Sequence, residues 1–171
     1  KQFDPISTHS NVVIDVAPGS GDVLANNCAS VDGTTFTYNE GTADETLQQK
    51  TDFVYFYEGG TATGGGSAVI AAPSDVNSTV LGGYADWTTK NATKFYSVDV
   101  TTAHFDAMED DEMILEYVTG TETTRVSDLA VDDVVGFETV TGKKGMFKVT
   151  ALVPGWGTSS DQSITITIKV Q

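Results

Sequence analysis

Eight residues near the end of the chain constrain its fold more than any others. Ser163-Ile164-Thr165-Ile166-Thr167-Ile168-Lys169-Val170 alternates without a break. Apolar side chains at every second position put Ile164, Ile166, Ile168 and Val170 on one face of a strand, with the threonines and Lys169 on the other. A helical period would scatter the same residues around a cylinder. A strand with one apolar face needs neighbours to pair with and a second layer to cover that face.

The preceding residues supply the neighbours. Val134-Val135-Gly136-Phe137-Glu138-Thr139-Val140 and Gly145-Met146-Phe147-Lys148-Val149-Thr150-Ala151-Leu152 flank Thr141-Gly142-Lys143-Lys144 and read as a β-hairpin. Val135, Phe137 and Thr139 are expected opposite Phe147, Val149 and their neighbours. Pro154-Gly155-Trp156-Gly157 turns the chain into the last strand, so a three-strand meander over 134–170 closes the domain. Upstream, Asn11-Val12-Val13-Ile14-Asp15-Val16 is a short apolar strand stopped by Pro18-Gly19. Thr34-Thr35-Phe36-Thr37-Tyr38 alternates, with Phe36 and Tyr38 on one face. Asp52-Phe53-Val54-Tyr55-Phe56-Tyr57 carries aromatics on both faces, so both are expected to be covered. Ser67-Ala68-Val69-Ile70-Ala71-Ala72 and 91–98 add two more strands. The Gly59 to Gly66 stretch reads as a mobile loop, and 77–87 as an irregular connection. No Gly-Lys-Ser/Thr follows the glycine run, so it is no phosphate cradle.

One segment changes character. Thr101 or Thr102 can cap a helix, followed by helix formers from Ala103 to Met108. Met113-Ile114-Leu115-Glu116-Tyr117-Val118 could be helix or strand; Glu112 and Glu116 on one helical face favour a short helix, with Gly120 as its stop. The chain of 171 residues also holds 25 threonines, 17 glycines and one arginine, and β-branched residues suit a pleated, half-buried surface. The expected fold is therefore mainly β: an antiparallel β-sandwich, immunoglobulin-like or jelly-roll-like, with one or two short helices near 101–117. A leading segment over 1–10 is expected to precede a single domain over 11–171.

Charge narrows the partners. The formal net charge is −15, from 24 acidic and nine Lys or Arg residues. Nucleic acid and anionic membrane surfaces are recognised through Lys and Arg, which this chain lacks in number. No apolar run approaches the length of a transmembrane helix. The chain opens Lys1-Gln2-Phe3-Asp4-Pro5, without a signal-peptide pattern. Cys28 is the single cysteine, which excludes an internal disulfide and a cysteine-based zinc site. It reads as a small buried filler. His9 and His104 have no serine motif beside them, and no Gly-x-Ser-x-Gly occurs. With 24 acids, some carboxylate pair always suits glycoside hydrolysis, so abundance carries no signal.

Two constellations remain. Twelve of the 24 acids fall between Asp99 and Glu138, where Arg125 is the sole Lys or Arg. Asp106, Glu109, Asp110, Asp111 and Glu112 are the closest set, and closely spaced carboxylates suit Ca²⁺. The EF-hand spacing is absent, and the alternative is a solvated loop or helix end. The second set is Tyr84, Asp86, Trp87 and Trp156, in Gly- and Asp-rich connections. Exposed rings beside hydrogen-bonding groups stack on sugars. The alternative is that these rings plug the end of a sandwich. Asn77-Ser78-Thr79 and Asn91-Ala92-Thr93 match the N-glycosylation pattern, which matters in a eukaryotic secreted protein.

The stretch from Ala92 onward resembles secreted or lipid-anchored β-sandwich proteins of Bacteroides and related gut bacteria. The resemblance is carried by Ala92-Thr93-Lys94-Phe95-Tyr96, Phe105-Asp106, Asp128-Leu129-Ala130-Val131-Asp132-Asp133-Val134-Val135-Gly136-Phe137, Gly142-Lys143-Lys144-Gly145-Met146-Phe147-Lys148-Val149 and the last strand. Asp132 stands where those proteins have a glycine. The resemblance covers the C-terminal half and implies a β-sandwich in the periplasm or at the outer-membrane surface, with a lipid anchor upstream. It implies no catalytic residues and no cofactor. The expectation is a non-enzymatic surface or periplasmic domain binding glycan or a surface protein. The alternatives are a structural accessory module of a surface assembly and a carbohydrate-active hydrolase.

Overall fold

The computed structural model describes residues 2–16, 24–59, 65–76, 84–155 and 162–171. The strands are β1 (Ser7–Asp15), β2 (Asn27–Ala29), β3 (Thr34–Phe36), β4 (Phe53–Glu58), β5 (Ser67–Ala71), β6 (Lys94–Ser97), β7 (Glu122–Thr123), β8 (Arg125–Val126), β9 (Val134–Glu138), β10 (Lys144–Val153) and β11 (Ser163–Val170). Four short helices join them: α1 (Tyr38–Ala43), α2 (Glu45–Lys50), α3 (Thr102–Ala107) and α4 (Glu112–Tyr117).

Two antiparallel sheets form a sandwich, as the period-two patterning requires. The larger has the order β1-β11-β10-β9-β6-β7 and the smaller β3-β2-β4-β5-β8. The meander β9-β10-β11 sits at the centre of the larger sheet. Val135 faces Phe147 across the hairpin, while Phe137 faces Gly145. That pairing has a steric reason. A Cβ on Gly145 would lie 2.5 Å from the Phe137 ring, so glycine leaves room for the ring to lie across the neighbouring strand.

Alternation sorts side chains into three apolar layers. Between the sheets lie Ile14, Phe53, Tyr55, Ile70, Phe95, Phe137, Phe147, Ile164, Ile166 and Ile168, all essentially without solvent contact. Phe53 is the hub, with ring centroids 5.0 Å from Phe137, 5.5 Å from Phe147 and 5.6 Å from Phe95. The outer face of the smaller sheet carries Val54, Phe56 and Val69 against Tyr84, Trp87, Tyr38 and Leu47. The outer face of the larger sheet carries Tyr96 and Met146 against Phe105, Met108, Ile114 and Val118 of the α3–α4 segment. β4 is thus covered on both faces, the reason its aromatics do not alternate with polar residues.

Both sides of the sandwich are closed. On one, β7 pairs with β6 in the larger sheet and β8 pairs with β5 in the smaller, so residues 122–126 pass from one sheet to the other. On the other, β1 reaches β3 through His9, whose Nε2 lies 2.9 Å from the Val31 carbonyl. Gly33, at φ +69°, sits against the His9 ring, where a Cβ would be only 2.7 Å away.

Several sequence expectations need correction. β1 begins at Ser7, inside the expected leading segment. The alternation from Thr34 stops at Phe36, because Thr37 caps α1 instead. Its side chain accepts from the Glu40 amide, and the Glu40 carboxylate accepts from the Thr37 amide. Lys169, expected on the polar face, is buried at 6% exposure. Its ammonium donates to the carbonyls of Asp106, at 3.0 Å, and Met108, at 2.6 Å, at the end of α3. Those carbonyls are left open by the helix, and a cation suits that end. Burial holds this ammonium below the ordinary lysine value, and the neighbouring Asp106 charge opposes that shift.

Two stability measurements follow. Phe53→Ala removes the ring shared by both sheets and should cost about 3–5 kcal/mol in urea unfolding. Lys169→Met keeps the stem but strands the α3 carbonyls, and should cost about 2 kcal/mol. A neutral effect at either position would mean that the contact is not what holds the layers.

Candidate functional site

The five clustered acidic residues take different places. Asp106 pairs with Lys148. The Glu109 carbonyl accepts from the Ile6 amide at 3.5 Å. Asp110 bridges Pro5, and its carboxylate accepts from the Glu112 amide at 3.0 Å. Asp111 is buried. It accepts from the Asp4 amide at 3.0 Å and from the Gln171 side chain at 2.8 Å. Glu112 lies exposed in the first turn of α4, where an anion is favoured. The segment fastens the first and last residues of the chain to α4. Among the described residues, no three His, Cys, Asp or Glu side chains come together in a way that could hold a metal ion.

The aromatic set is also placed differently from a sugar platform. Tyr84 and Trp87 are 2% and 3% exposed, so neither ring has a free face. Trp87 stacks on Tyr38 at 5.8 Å and 11°, and its indole N–H donates to Thr42. A Cβ on Gly41 would fall 2.4 Å from the indole, so α1 lies flat on the ring. The Tyr84 hydroxyl donates to Asn27 and accepts from Asn26. The two rings fill the space between α1 and the outer face of the smaller sheet rather than an end of the sandwich. Asp86 is exposed beside them. Trp156 and the Asn77 acceptor lie outside the described residues, as does 60–64 of the glycine loop. Asn91 of the second glycosylation pattern is buried, donating to the carbonyls of Gln49 and Thr51. Cys28 is a buried filler, and burial followed by the Asp52 charge pushes its thiol well up.

A cleft that the sequence did not single out lies at the end of the smaller sheet. It has a volume of about 370 Å³. The β2–β3 turn supplies Ala29, Val31 and Asp32, the end of α2 supplies Gln49 and Lys50, and the β9–β10 turn supplies Thr139, Val140 and Thr141. Val31 and Val140 are 43% and 53% exposed. The β9–β10 turn is held by its own bonds: Thr139 exchanges with Lys143, and Gly142, at φ +82°, donates to Thr139.

Asp52, on the cleft wall, is the unusual group. It precedes β4 and is 5% exposed. Its Oδ2 accepts from the Ser30 amide at 2.9 Å and the Ser30 hydroxyl at 2.7 Å. Among the described residues, Oδ1 takes no hydrogen bond. Desolvation pushes the carboxyl up to about 6, the Ser30 bonds opposing and the Asp32 charge adding to it. Asp32 behaves otherwise. Partial burial pulls it upward, but the Thr34 hydroxyl and amide and the Lys50 ammonium outweigh that and hold it below its ordinary value. Lys50 pairs with it at 3.5 Å.

No protein-family model matches the chain, and no curated protein does. Among solved structures, the chain is similar to a DUF4466 family protein from Parabacteroides merdae ATCC 43184, with a TM-score of 0.61 and 15% identity. The likeness covers 96% of this chain and 53% of that one, so this chain spans about half the length of its neighbour. At this identity the likeness is one of fold. It places the sandwich beside a protein from the same group of bacteria that the C-terminal motifs resemble. Among the described residues, no helix is long and apolar enough to cross a membrane.

Asp52 gives a stability test with a definite sign. The folded chain holds this proton more tightly than the unfolded chain. Asp52 therefore stabilises most below its ordinary value of 3.8, and that contribution is lost as pH rises through about 6. Asp52→Asn keeps an oxygen for Ser30 and removes the titration. Its stability relative to the parent should rise between pH 4 and pH 7, by roughly 3 kcal/mol at most from 1.36 kcal/mol per pKa unit. Parallel urea-unfolding profiles for the two proteins across that range would show that burial does not perturb Asp52.

Proposed function

We propose that this chain is a non-enzymatic binding domain of the periplasm or outer-membrane surface, and that it takes a protein partner in the cleft between 29–32, 49–52 and 139–141. The observation that carries this reading is the pair Val31 and Val140, two large apolar side chains exposed on adjacent turns at the mouth of one cleft. Single exposed valines are ordinary on a protein surface. Two on the rim of a concave site with a buried polar group have the make-up of a binding site.

A protein partner is favoured over a glycan because Tyr84 and Trp87, the described rings offered to a sugar, are enclosed by protein. A non-catalytic role is favoured by the pairing inside the cleft. Asp32 is held by Lys50, so among the described residues of the cleft no second unengaged carboxylate stands beside Asp52 for acid–base work. The C-terminal motifs support the location, through their resemblance to exported proteins of Bacteroides and its relatives.

A displayed random peptide library panned against the immobilised chain tests the site. Enriched peptides should bind the parent and lose about tenfold or more in affinity, or about 1.4 kcal/mol, to the double variant Val31→Ser, Val140→Ser with its melting temperature unchanged. Peptides that bind both proteins equally would move the site elsewhere. Sugars captured on a glycan array, with no peptide enriched, would replace the protein partner by a glycan.

A further inference from the structure

We propose that the cleft recognises a cationic side chain, a lysine or arginine presented by the partner protein. This rests on the binding reading above and names the group that enters the site.

The shape of the site matches such a side chain from mouth to floor. Val31, Val140 and Ala29 offer apolar surface to an aliphatic stem, and lysine and arginine stems pack on such surface while their heads seek polar groups. Asp52 lines the wall, with one oxygen held twice by Ser30 and the other taking no hydrogen bond from the described residues. An acceptor-only carboxylate with an open oxygen, 5% exposed, is suited to an N–H donor with positive charge. An anionic or acceptor-rich ligand would meet two carboxylates there. The ionisable groups facing Asp52 are Asp32 from the β2–β3 turn, Lys50 from the end of α2 and the Cys28 thiol from β2. The β9–β10 turn brings Thr139, Val140 and Thr141, none ionisable. With Asp52 ionised, two carboxylates and one ammonium leave the site at −1. The whole chain, at −15, draws cations toward it.

A buried carboxylate that binds a cation must be ionised to do so. Asp52 loses its charge as pH falls through about 6, so affinity should fall by about tenfold between pH 7.5 and pH 5, in proportion to the ionised fraction.

Amide-resolved NMR titration of the full chain tests the idea. The probes are the blocked amino acids N-acetyl-lysine methylamide and N-acetyl-arginine methylamide, with the leucine and glutamate equivalents and putrescine as comparisons. The cationic amino acids should shift the amides of Ser30, Asp52 and Val140. The glutamate probe should not. Asp52→Asn should weaken the lysine probe by about tenfold at pH 7.5 and abolish the pH dependence. If the leucine probe binds as well and Asp52→Asn changes nothing, the cation is overturned while the cleft stands as an apolar binding site. If putrescine binds more tightly than the blocked lysine, a small amine replaces the protein side chain. If no probe shifts these amides, the cation is overturned, and the peptide-library result with Val31→Ser, Val140→Ser decides separately whether the cleft binds at all.

Discussion

The sandwich depends on one aromatic contact. Among the described residues, Phe53 alone projects from the smaller sheet into three rings of the larger one, Phe95, Phe137 and Phe147. Because strand side chains alternate, fixing Phe53 inward sends Val54 and Phe56 outward, where they need a cover of their own. The cover is α1, α2 and the Tyr84–Trp87 pair. The same rule applies opposite: Phe95 and Phe147 inward mean Tyr96 and Met146 outward, and α3 and α4 lie over them. The three apolar layers are consequences of one register. The ring of Phe137 reaches Phe53 across a space that Gly145 leaves clear.

Covering helices this short do not hold themselves. A helix of six residues is far below the length that is stable alone. Each is tied by side chains from elsewhere. Lys169, from β11 next to the edge strand β1 of the larger sheet, closes the end of α3. Asp111 at the start of α4 gathers Asp4 and Gln171. Three of the acids between 106 and 112 serve this purpose: Asp106 in an ion pair, Asp110 on the Glu112 amide and Asp111 in the clasp on Asp4 and Gln171.

Much of this was legible in the sequence. The strict alternation of 163–170 and the hairpin before it stand where periodicity puts them, the 102–107 helix stands where its cap and helix formers put it, and the 112–117 run, open between helix and strand, is a helix. What escaped has physical reasons. The α1 start is written as Thr37-Tyr38-Asn39-Glu40, a capping box, but the alternation of Thr34 to Tyr38 runs straight into it and masks it. β7 and β8 have two residues each, too few for a period to show. Lys169 fits the polar face by pattern, and its burial depends on α3 arriving above it. Asp132 marks the reverse case. It stands where a glycine is usual in the resembling proteins, and its φ of +75° is the left-handed conformation that glycine takes freely. For the candidate site, the sequence signal was weakest. Val31, Lys50, Asp52 and Val140 are far apart in the chain, and no spacing rule joins two turns and a helix end.

Asp52 is the residue where fold and function meet. It opens β4 one position before Phe53, so its place is set by the contact that holds the sheets together. An apolar residue there would avoid the desolvation of a carboxylate, and Ser30 alone does not offset it, because the carboxyl remains raised to about 6. A buried group that the fold does not stabilise in its charged form, with an oxygen left open on a cleft wall, is stabilised most by something that arrives from outside. On the proposal above, a cation in the cleft would pair with this carboxylate and return it toward its ordinary range. The site therefore has a built-in preference that its apolar rim alone would not give. The valines make the cleft sticky, and the incompletely satisfied carboxylate decides what sticks.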